Sequence, residues 1–326
     1  MKPYILAIDI GGTNTKLALI DSDGKAGQVN SIPTSGEPGL DQFLQSVEDI
    51  AHQVIDQSGK SEVVGVGIGV AGFVDPAHTQ MTYNPNIAWL EGANLRDYFS
   101  NKLNLPVYLE IDSNAAALAE AVHGNGKGSR RLLVLSVGTG LGGGMTIDGN
   151  ILRISNECLG DIGHVIVEPG GSQCTAGCRG CAEAMVSVSA LEKYAVEFMS
   201  EDKNSIGHEL LKNGEKFHTP EIIKAAQQGD QAAEKAIQKL GRYLGIALAS
   251  MTPVLAPDRI CIAGGISEAG VILLEATQTS FLEIVGPPYA EGVTIQKALL
   301  GWRSVLVGAA EALKSRQNLD LGFHTL

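Results

Sequence analysis

The chain has 326 residues, and its 36 Asp and Glu residues outnumber its 24 Lys and Arg residues, which gives a formal net charge of −12. This acidic balance argues against a nucleic-acid-binding protein, because affinity for phosphate backbones depends on clustered basic side chains. Apolar residues make up 44% of the chain, enough to bury a sizeable core, so an intrinsically disordered chain is excluded. The length predicts about two domains.

Neither a membrane span nor a secretory signal is predicted. The best candidate span, residues 244–256, is shorter than the roughly 20 apolar residues that a bilayer requires, and Pro253 interrupts it. The apolar run that starts at Tyr4 ends at Asp9, too early for a signal sequence. We therefore expect a cytoplasmic protein that does not bind membranes.

The first third of the chain predicts a mixture of strands and helices. Apolar runs at Tyr4–Ile10 and 16–20 flank turn residues and predict an antiparallel hairpin, with a third short strand at 28–33. Helical spacing predicts a helix over 40–57, and the almost wholly apolar Val63–Val70 predicts a strand covered on both faces. Further predictions are a helix at Leu95–Leu103, a strand at Val107–Ile111 and an Ala-rich helix at 114–122.

The Gly-rich, basic segment 123–129 predicts a domain boundary. After it, a strand at Arg131–Val137, a Gly/Thr turn and a strand at 145–147 repeat the outline of the opening hairpin, which suggests two duplicated halves. The remaining predictions are helical structure through 187–238, one long buried helix over 232–255, a strand at Arg259–Ala263 and a helix at 304–314. We predict a small lobe of residues 1–122, completed by 304–326, and a large lobe of residues 123–303.

The first of three glycine turns that follow predicted strands is formed by Asp9, Gly11, Gly12 and Thr13. Free backbone N–H groups and the Thr13 hydroxyl could bind phosphate oxygens, and Asp9 could position Mg²⁺ through water. An ordinary hairpin turn explains the same residues equally well. The segment is not a Walker A loop, because no Gly-Lys-Ser/Thr follows it at the required spacing.

The second turn contains Gly138, Thr139 and Gly140, within a run of five glycines in residues 138–144. Each glycine loses backbone entropy on folding, so something close-packed or charged is expected there. Gly264 and Gly265 follow a third strand and could admit an adenine or ribose, although a plain strand-to-helix turn explains them nearly as well. The joint occurrence of the three turns favours a nucleotide site.

Asp112 follows a predicted strand and precedes a predicted helix. One interpretation is an N-cap, whose carboxylate accepts helix N–H groups. The other is a general base at the carboxyl end of a strand, where α/β folds place their ligands, taking a proton from a hydroxyl that attacks a γ-phosphoryl group.

His164, Cys174, Cys178 and Cys181 form a candidate Zn²⁺ set, since three thiolates and an imidazole suit a tetrahedral structural site. The alternative is three reduced cysteines in a Gly-rich loop. An odd total of five cysteines also favours a metal site or free thiols over a disulfide framework.

Taken in order, these motifs resemble the ROK family of sugar kinases and related repressors, within the actin-like ATPase superfamily, over essentially the whole chain. The resemblance implies an α/β fold of two ribonuclease H-like lobes with a central cleft between them, MgATP as cosubstrate and a homodimer. It implies phosphate contacts at the first two glycine turns, adenosine contacts at Gly264 and Gly265, and Asp112 as catalytic base. The implied sugar contacts are Asn86, Asp112, Asp161, His164 and Glu183, and His164 is also the position of the family's zinc-ligating histidine.

Three departures from the family pattern bear on specificity and on zinc. Ile111 replaces an Asn that binds ring hydroxyls in the sugar kinases, which leaves the identity of the sugar open. Asp161 replaces the usual Glu and shortens the reach of its carboxylate. The middle cysteine stands at Cys178 instead of position 176, which keeps the number of ligands but changes the loop.

The sequence therefore predicts an ATP-dependent kinase that phosphorylates a monosaccharide, at the 6-OH of a hexose or N-acetylhexosamine. The alternative is a sugar-sensing regulator with little or no kinase activity. ROK repressors carry an N-terminal helix-turn-helix, for which a first strand beginning near Tyr4 leaves no room, and the acidic balance also disfavours DNA binding. A non-sugar ATPase is disfavoured by the segment from Asp161 to Glu183.

Overall fold

The computed structural model describes residues 3–34, 39–59, 62–84 and 87–317, and the chain divides into two compact units. The first unit consists of Met1–Gly128, Gly144–Gly160 and Leu300–Leu326, and the second consists of Ser129–Gly143 and Asp161–Leu299. The predicted lobes had other bounds, above all because residues 144–160 pack with the first unit and not with the remainder of the large lobe.

Twelve strands and eleven α-helices lie within the described residues. The strands are β1 (Tyr4–Ile10), β2 (Asn14–Ile20), β3 (Asn30–Pro33), β4 (Val63–Val70), β5 (Phe73–Val74), β6 (Met81–Tyr83), β7 (Val107–Ile111), β8 (Arg131–Val137), β9 (Leu141–Ile147), β10 (Asn150–Ile151), β11 (Arg259–Ala263) and β12 (Thr294–Lys297). The helices are α1 (Leu40–Asp56), α2 (Leu95–Leu103), α3 (Asp112–His123), α4 (Ala182–Met185), α5 (Val188–Glu201), α6 (Ile206–Lys212), α7 (Thr219–Gln227), α8 (Gln231–Leu255), α9 (Val271–Ile284), α10 (Pro287–Ala290) and α11 (Ser304–Gln317). No helix in these ranges is long and apolar enough to cross a bilayer.

The sheet of the first unit has the strand order β3-β2-β1-β4-β7. Strands β1, β2 and β3 form an antiparallel meander, whereas β1, β4 and β7 run parallel. The carboxyl ends of these three parallel strands therefore lie at one edge of the sheet, and the residues that follow β1 and β7 meet there.

Alternate residues of β1 face opposite sides of this sheet, as the period of two in a strand requires. Leu6, Ile8 and Ile10 join a core cluster with α1 and α2. Ile5 and Ala7 join a second cluster with α3 and α11. Both faces are covered, which explains why the strands are apolar runs and not alternating patterns.

Helix α11 packs unusually close to its neighbours. A Cβ atom added at Gly308 would lie 1.8 Å from the carbonyl oxygen of Ala115 in α3, and one added at Gly67 in β4 would lie 2.1 Å from the carbonyl oxygen of Ala309. No side chain fits at either point, so glycine is required where these backbones approach each other.

The second sheet has the order β10-β9-β8-β11-β12 and repeats the plan of the first. Strands β9 and β10 are antiparallel, and β8, β11 and β12 are parallel. In each sheet a three-strand meander is thus followed by two further parallel strands, which agrees with the duplicated halves that the sequence suggested.

The predicted elements are found with modest shifts at their ends. The third strand begins at Asn30, the Ala-rich helix begins at Asp112 instead of 114, and the strand predicted at 145–147 extends back to Leu141. The long helix predicted over 232–255 is α8, whose first turn is capped by the Asp230 carboxylate through the N–H groups of Ala232 and Ala233.

Candidate active site

The turn between β1 and β2 presents the residues of the first predicted phosphate motif. The Gly11 N–H donates to the Asn14 carbonyl at 3.1 Å and closes the turn. The Thr13 carbonyl accepts the N–H of Thr34 at 2.9 Å, so the turn is also fastened to the end of β3. Gly12 is partly exposed and Thr13 is exposed at the tip, an arrangement that suits contacts with an anion.

Asp9 lies at the carboxyl end of β1 and is almost fully buried. Burial raises the pKa of this carboxyl, and Lys16, whose Nζ lies 3.4 Å from Oδ2, acts in the opposite direction. Sequence reasoning did not select Lys16. The signal was available, because Asp9 and Lys16 are opposite each other in the predicted hairpin and cross-strand partners share a face.

Asp112 is the first residue of α3, directly after β7. The N-cap interpretation is wrong in its detail, because Ile111 occupies the cap position. The Asp112 carboxylate does accept one helix N–H, that of Ser113 at 2.6 Å.

The pKa of Asp112 is raised to about 7, first by burial and second by the negative charge of Asp9, while the bond from Ser113 acts against the shift. This electrostatic influence shows that the carboxyl ends of β1 and β7 bring the two acids together. A carboxyl group with a pKa near neutrality is suited to accept a proton at physiological pH.

The second and third glycine motifs are neighbours in the second unit. Gly138 follows β8 and Gly264 follows β11, and these two strands are adjacent and parallel. Gly264 has φ +88°, and a Cβ there would lie 2.3 Å from the Val137 carbonyl oxygen. Thr139 is exposed, so this edge of the second sheet offers a Gly/Thr turn beside a glycine-only backbone.

Close packing accounts for two glycines in the run that begins at Gly138. A Cβ at Gly143 would lie 2.1 Å from Ile162, and one at Gly144 would lie 2.3 Å from the Ser113 carbonyl oxygen. These two glycines are therefore explained without a ligand, whereas a Cβ at Gly140 would meet only the flexible side chain of Glu183. Nothing lies within 4 Å of a Cβ at Gly138, which remains the open position of the turn.

Asp161, His164 and Glu183, three of the predicted sugar contacts, lie close together in the second unit. His164 Nε2 lies 3.4 Å from Asp161 Oδ2, and Glu183 Oε2 accepts the N–H of Leu141 at 3.2 Å. Both carboxylates contribute to the raised pKa of Cys178, after burial and the nearby Cys174. Asn86 lies outside the described residues.

Two of the three predicted cysteine ligands cluster with the same histidine. Donor atoms of His164, Cys174 and Cys178 all lie within 4.8 Å of one another, with 3.7 Å between His164 Nδ1 and Cys174 Sγ. Cys181, at the start of α4, is buried and does not belong to this group of three donors, although its thiol influences Cys174. Burial raises the pKa of Cys174, but the bonds from Cys181 and from the N–H groups of Ala176 and Cys178 outweigh it and lower the pKa. One imidazole and two thiols in a cluster are donors that suit a Zn²⁺ ion.

Comparison with known proteins agrees with this arrangement. Residues 5–316 match the model of the ROK family. A glucokinase of Halalkalibacterium halodurans is 31% identical, over 97% of this chain and 96% of its own length. The crystal structure of a ROK family glucokinase from Streptomyces griseus in complex with glucose and AMPPNP has a TM-score of 0.80 and 30% identity, covering 95% of this chain and 98% of that one.

A xylose repressor of Bacillus spizizenii is also similar, at 27% identity over 80% of this chain, but the match spans only 64% of the repressor. The similarity to glucokinases is therefore higher and extends over nearly the whole of both proteins. The predicted α/β, actin-like fold is confirmed. By sequence and by fold, this chain belongs to the ROK family.

Proposed function

We propose that this ROK family sugar kinase transfers the γ-phosphoryl group of ATP to a hydroxyl of a hexose or N-acetylhexosamine, most simply the 6-OH, with Asp112 as general base. The observation that carries the proposal is the Asp112 carboxyl, with a pKa of about 7, at the sheet edge that also carries Asp9 and the first glycine turn. The similarity to glucokinases over nearly the full length supports the same reaction.

In the proposed mechanism Asp112 accepts the proton of the attacking sugar hydroxyl. The sugar oxygen forms a bond to the γ-phosphorus, and the bond between the γ-phosphorus and the bridging oxygen breaks, which releases ADP. Backbone N–H groups of Gly12, Thr13 and Thr139 bind phosphate oxygens, and the exposed threonine hydroxyls add donors. Asp9 would help to hold Mg²⁺, which would supply positive charge to offset that of the phosphates.

Asp161, His164 and Glu183 are the proposed sugar contacts of the second unit. They offer two carboxylate acceptors and an imidazole whose Nε2 faces Asp161, which suits a ligand with many hydroxyl groups. Asn86 is proposed to contribute from the first unit. The Ile111 side chain is buried in the apolar cluster of that unit and offers no hydrogen bond to a sugar, so a panel of hexoses is the test of specificity.

We further propose that His164, Cys174, Cys178 and Cys181 hold a structural Zn²⁺. The loop from Glu168 to Gly180 is largely polar and Gly-rich, so it has few apolar side chains with which to order itself. A metal at the four donors would fix the loop and, through His164 Nδ1, the orientation of the imidazole.

Release of ADP, measured with the purified chain across a panel of hexoses and N-acetylhexosamines, tests the proposed reaction. We expect sugar-dependent ADP release with at least one hexose, and a phosphorylated sugar in equal amount. ADP release without sugar would indicate a plain ATPase and contradict the proposal.

Sugar binding without ADP release would instead favour a sugar-sensing regulator. The 27% identity to a xylose repressor is the observation that supports this alternative. Light scattering during size-exclusion chromatography would test the homodimer that the family resemblance implies.

A further inference from the structure

A buried charged cluster is built around Glu110, which precedes the proposed catalytic residue in the chain. Glu110 is fully buried in β7, two residues before Asp112. Its Oε1 accepts the Ile111 N–H and Asn114 Nδ2, each at 2.9 Å. Arg153 binds both oxygens, with Nη1 3.2 Å from Oε1 and Nη2 2.5 Å from Oε2.

Arg153 and Asn114 also fasten a loop to this carboxylate. Arg153 Nη1 and Asn114 Nδ2 each donate to the Glu157 carbonyl at 2.8 Å. Asn156 and Glu157 have φ values of +48° and +59°, a left-handed conformation that is costly for residues with side chains. The loop is therefore held in this shape by its contacts with the Glu110 cluster, which we define as Glu110, Asn114, Arg153 and Glu157.

The bonds of Glu110 converge on the first turn of α3. The Ile111 N–H and the Asn114 side chain flank Asp112 in the chain, so Glu110 fixes the backbone on both sides of the base. The two parallel bonds between Arg153 and Glu110 also fix the orientation of both side chains, because a planar guanidinium cannot rotate without breaking one of them. A rigid support of this kind is what an acid–base group requires to meet its substrate at hydrogen-bond distance.

Asp112 also faces the charge of Asp9, which Lys16 offsets in part. Burial and Asp9 raise the pKa of Asp112, so the Glu110 cluster acts on Asp112 through the backbone that holds it.

We propose that Glu110 and Arg153 are positioning residues for phosphoryl transfer, which hold Asp112 at the start of α3. This inference rests on the function proposed above.

The test compares E110Q, R153M and R153K with the unmodified chain, using the sugar with the highest turnover. We expect R153M to lower kcat by about tenfold or more while both KM values change by less than about threefold, because position and not binding is lost. R153K keeps the charge and should recover part of the turnover.

The pH dependence of kcat/KM separates positioning from a change in the acidity of Asp112. Burial and Asp9 raise the pKa of Asp112, so E110Q should lower kcat by about threefold or more while the acid limb of the profile stays in place. The control is E311Q, which removes another buried carboxylate of the first unit, one that pairs with Lys314 and lies 2.8 Å from His123. It should lower the melting temperature without lowering kcat per folded chain.

An acid limb that moves in E110Q, or turnover of R153M and E110Q that falls only in proportion to folded protein, would overturn the proposal. If E110Q does not fold, E110D replaces it. The shorter side chain keeps the negative charge but weakens the two parallel bonds to Arg153. The E110D variant should lower kcat without moving the acid limb. An unchanged kcat in E110D would also overturn the proposal. Absence of turnover by the unmodified chain with every sugar would overturn the proposed function and this inference together.

Discussion

The surroundings of Asp112 in the first unit and of His164 in the second are built in opposite ways. Asp112 follows a buried strand, begins a helix and is supported by the Glu110 cluster. His164 lies in a short 3-10 turn, and its cysteine partners lie on a loop or at the start of the four-residue helix α4. Regular backbone positions the first residue, whereas the second depends on contacts among side chains.

The difference indicates what each region requires to function. A carboxyl fixed by strands and buried hydrogen bonds is in position before any ligand binds. A histidine on a polar loop gains a fixed orientation only when something ties the loop together, and three thiols with one imidazole can do so through a metal ion. Loss of chemistry is therefore expected from the first region, and loss of order from the second.

The largest effect is expected from Asp112→Asn, which should reduce kcat by about two or more orders of magnitude. The amide cannot accept the proton, yet it keeps the size of the side chain, so KM for sugar and ATP should change little. Steady-state kinetics with the best sugar of the panel provide the measurement. Unchanged turnover would remove Asp112 from the mechanism.

A smaller effect on the second region is expected from Cys178→Ala. Loss of one of the four proposed ligands should weaken zinc binding by at least about tenfold, measured as zinc per chain after dialysis against a competing chelator. Cleavage of the loop by a protease should accelerate in parallel. Cys158→Ala, in the first unit, is the control and should retain the metal; equal zinc in both variants would show that Cys178 is not a ligand.

The smallest effect concerns stability. The pKa of Asp112 is about 7 in the folded chain and near 3.9 in an unfolded one, so the folded state holds a proton that the unfolded state lacks between these values. Stability contributed by this group is present below about pH 4 and is lost as the pH rises through 7.

Asp112→Asn should therefore raise the melting temperature at pH 8 by a few degrees relative to the unmodified chain, with little difference at pH 4. The control, Asp49→Asn on the exposed face of α1, should show no such trend. A difference between the Asp112 variant and the unmodified chain that is the same at both pH values would contradict the linkage.

Much of the fold follows from local patterns. The long apolar runs correspond to β1, β4, β7, β8 and β11 with little change in their bounds. A strand covered on both faces is apolar at nearly every position, so the sequence identifies it directly. Helix α8 was equally clear from its length and periodicity. Bounds of the units were harder to predict, since residues 144–160 join the first unit through contacts that no local pattern encodes.

The site was predictable where a motif is contiguous and was missed where it is not. Arg153 lies 43 positions from Glu110, and no spacing rule connects them. The glycines after Gly140 show a different difficulty. A glycine is required when a ligand approaches the backbone, and it is equally required when a side chain such as Ile162 packs there. The sequence alone does not distinguish the two causes.

The position of α11 has a consequence for synthesis of the chain. The first sheet is complete in sequence at Ile111, but only α3 covers part of its second face at once, and the other covering helix begins about 190 residues later, at Ser304. At ribosomal rates this delay is on the order of ten to forty seconds. During that interval Ile5, Ala7 and their neighbours are not yet packed against α11. The nascent chain therefore exposes an apolar surface to which a chaperone could bind.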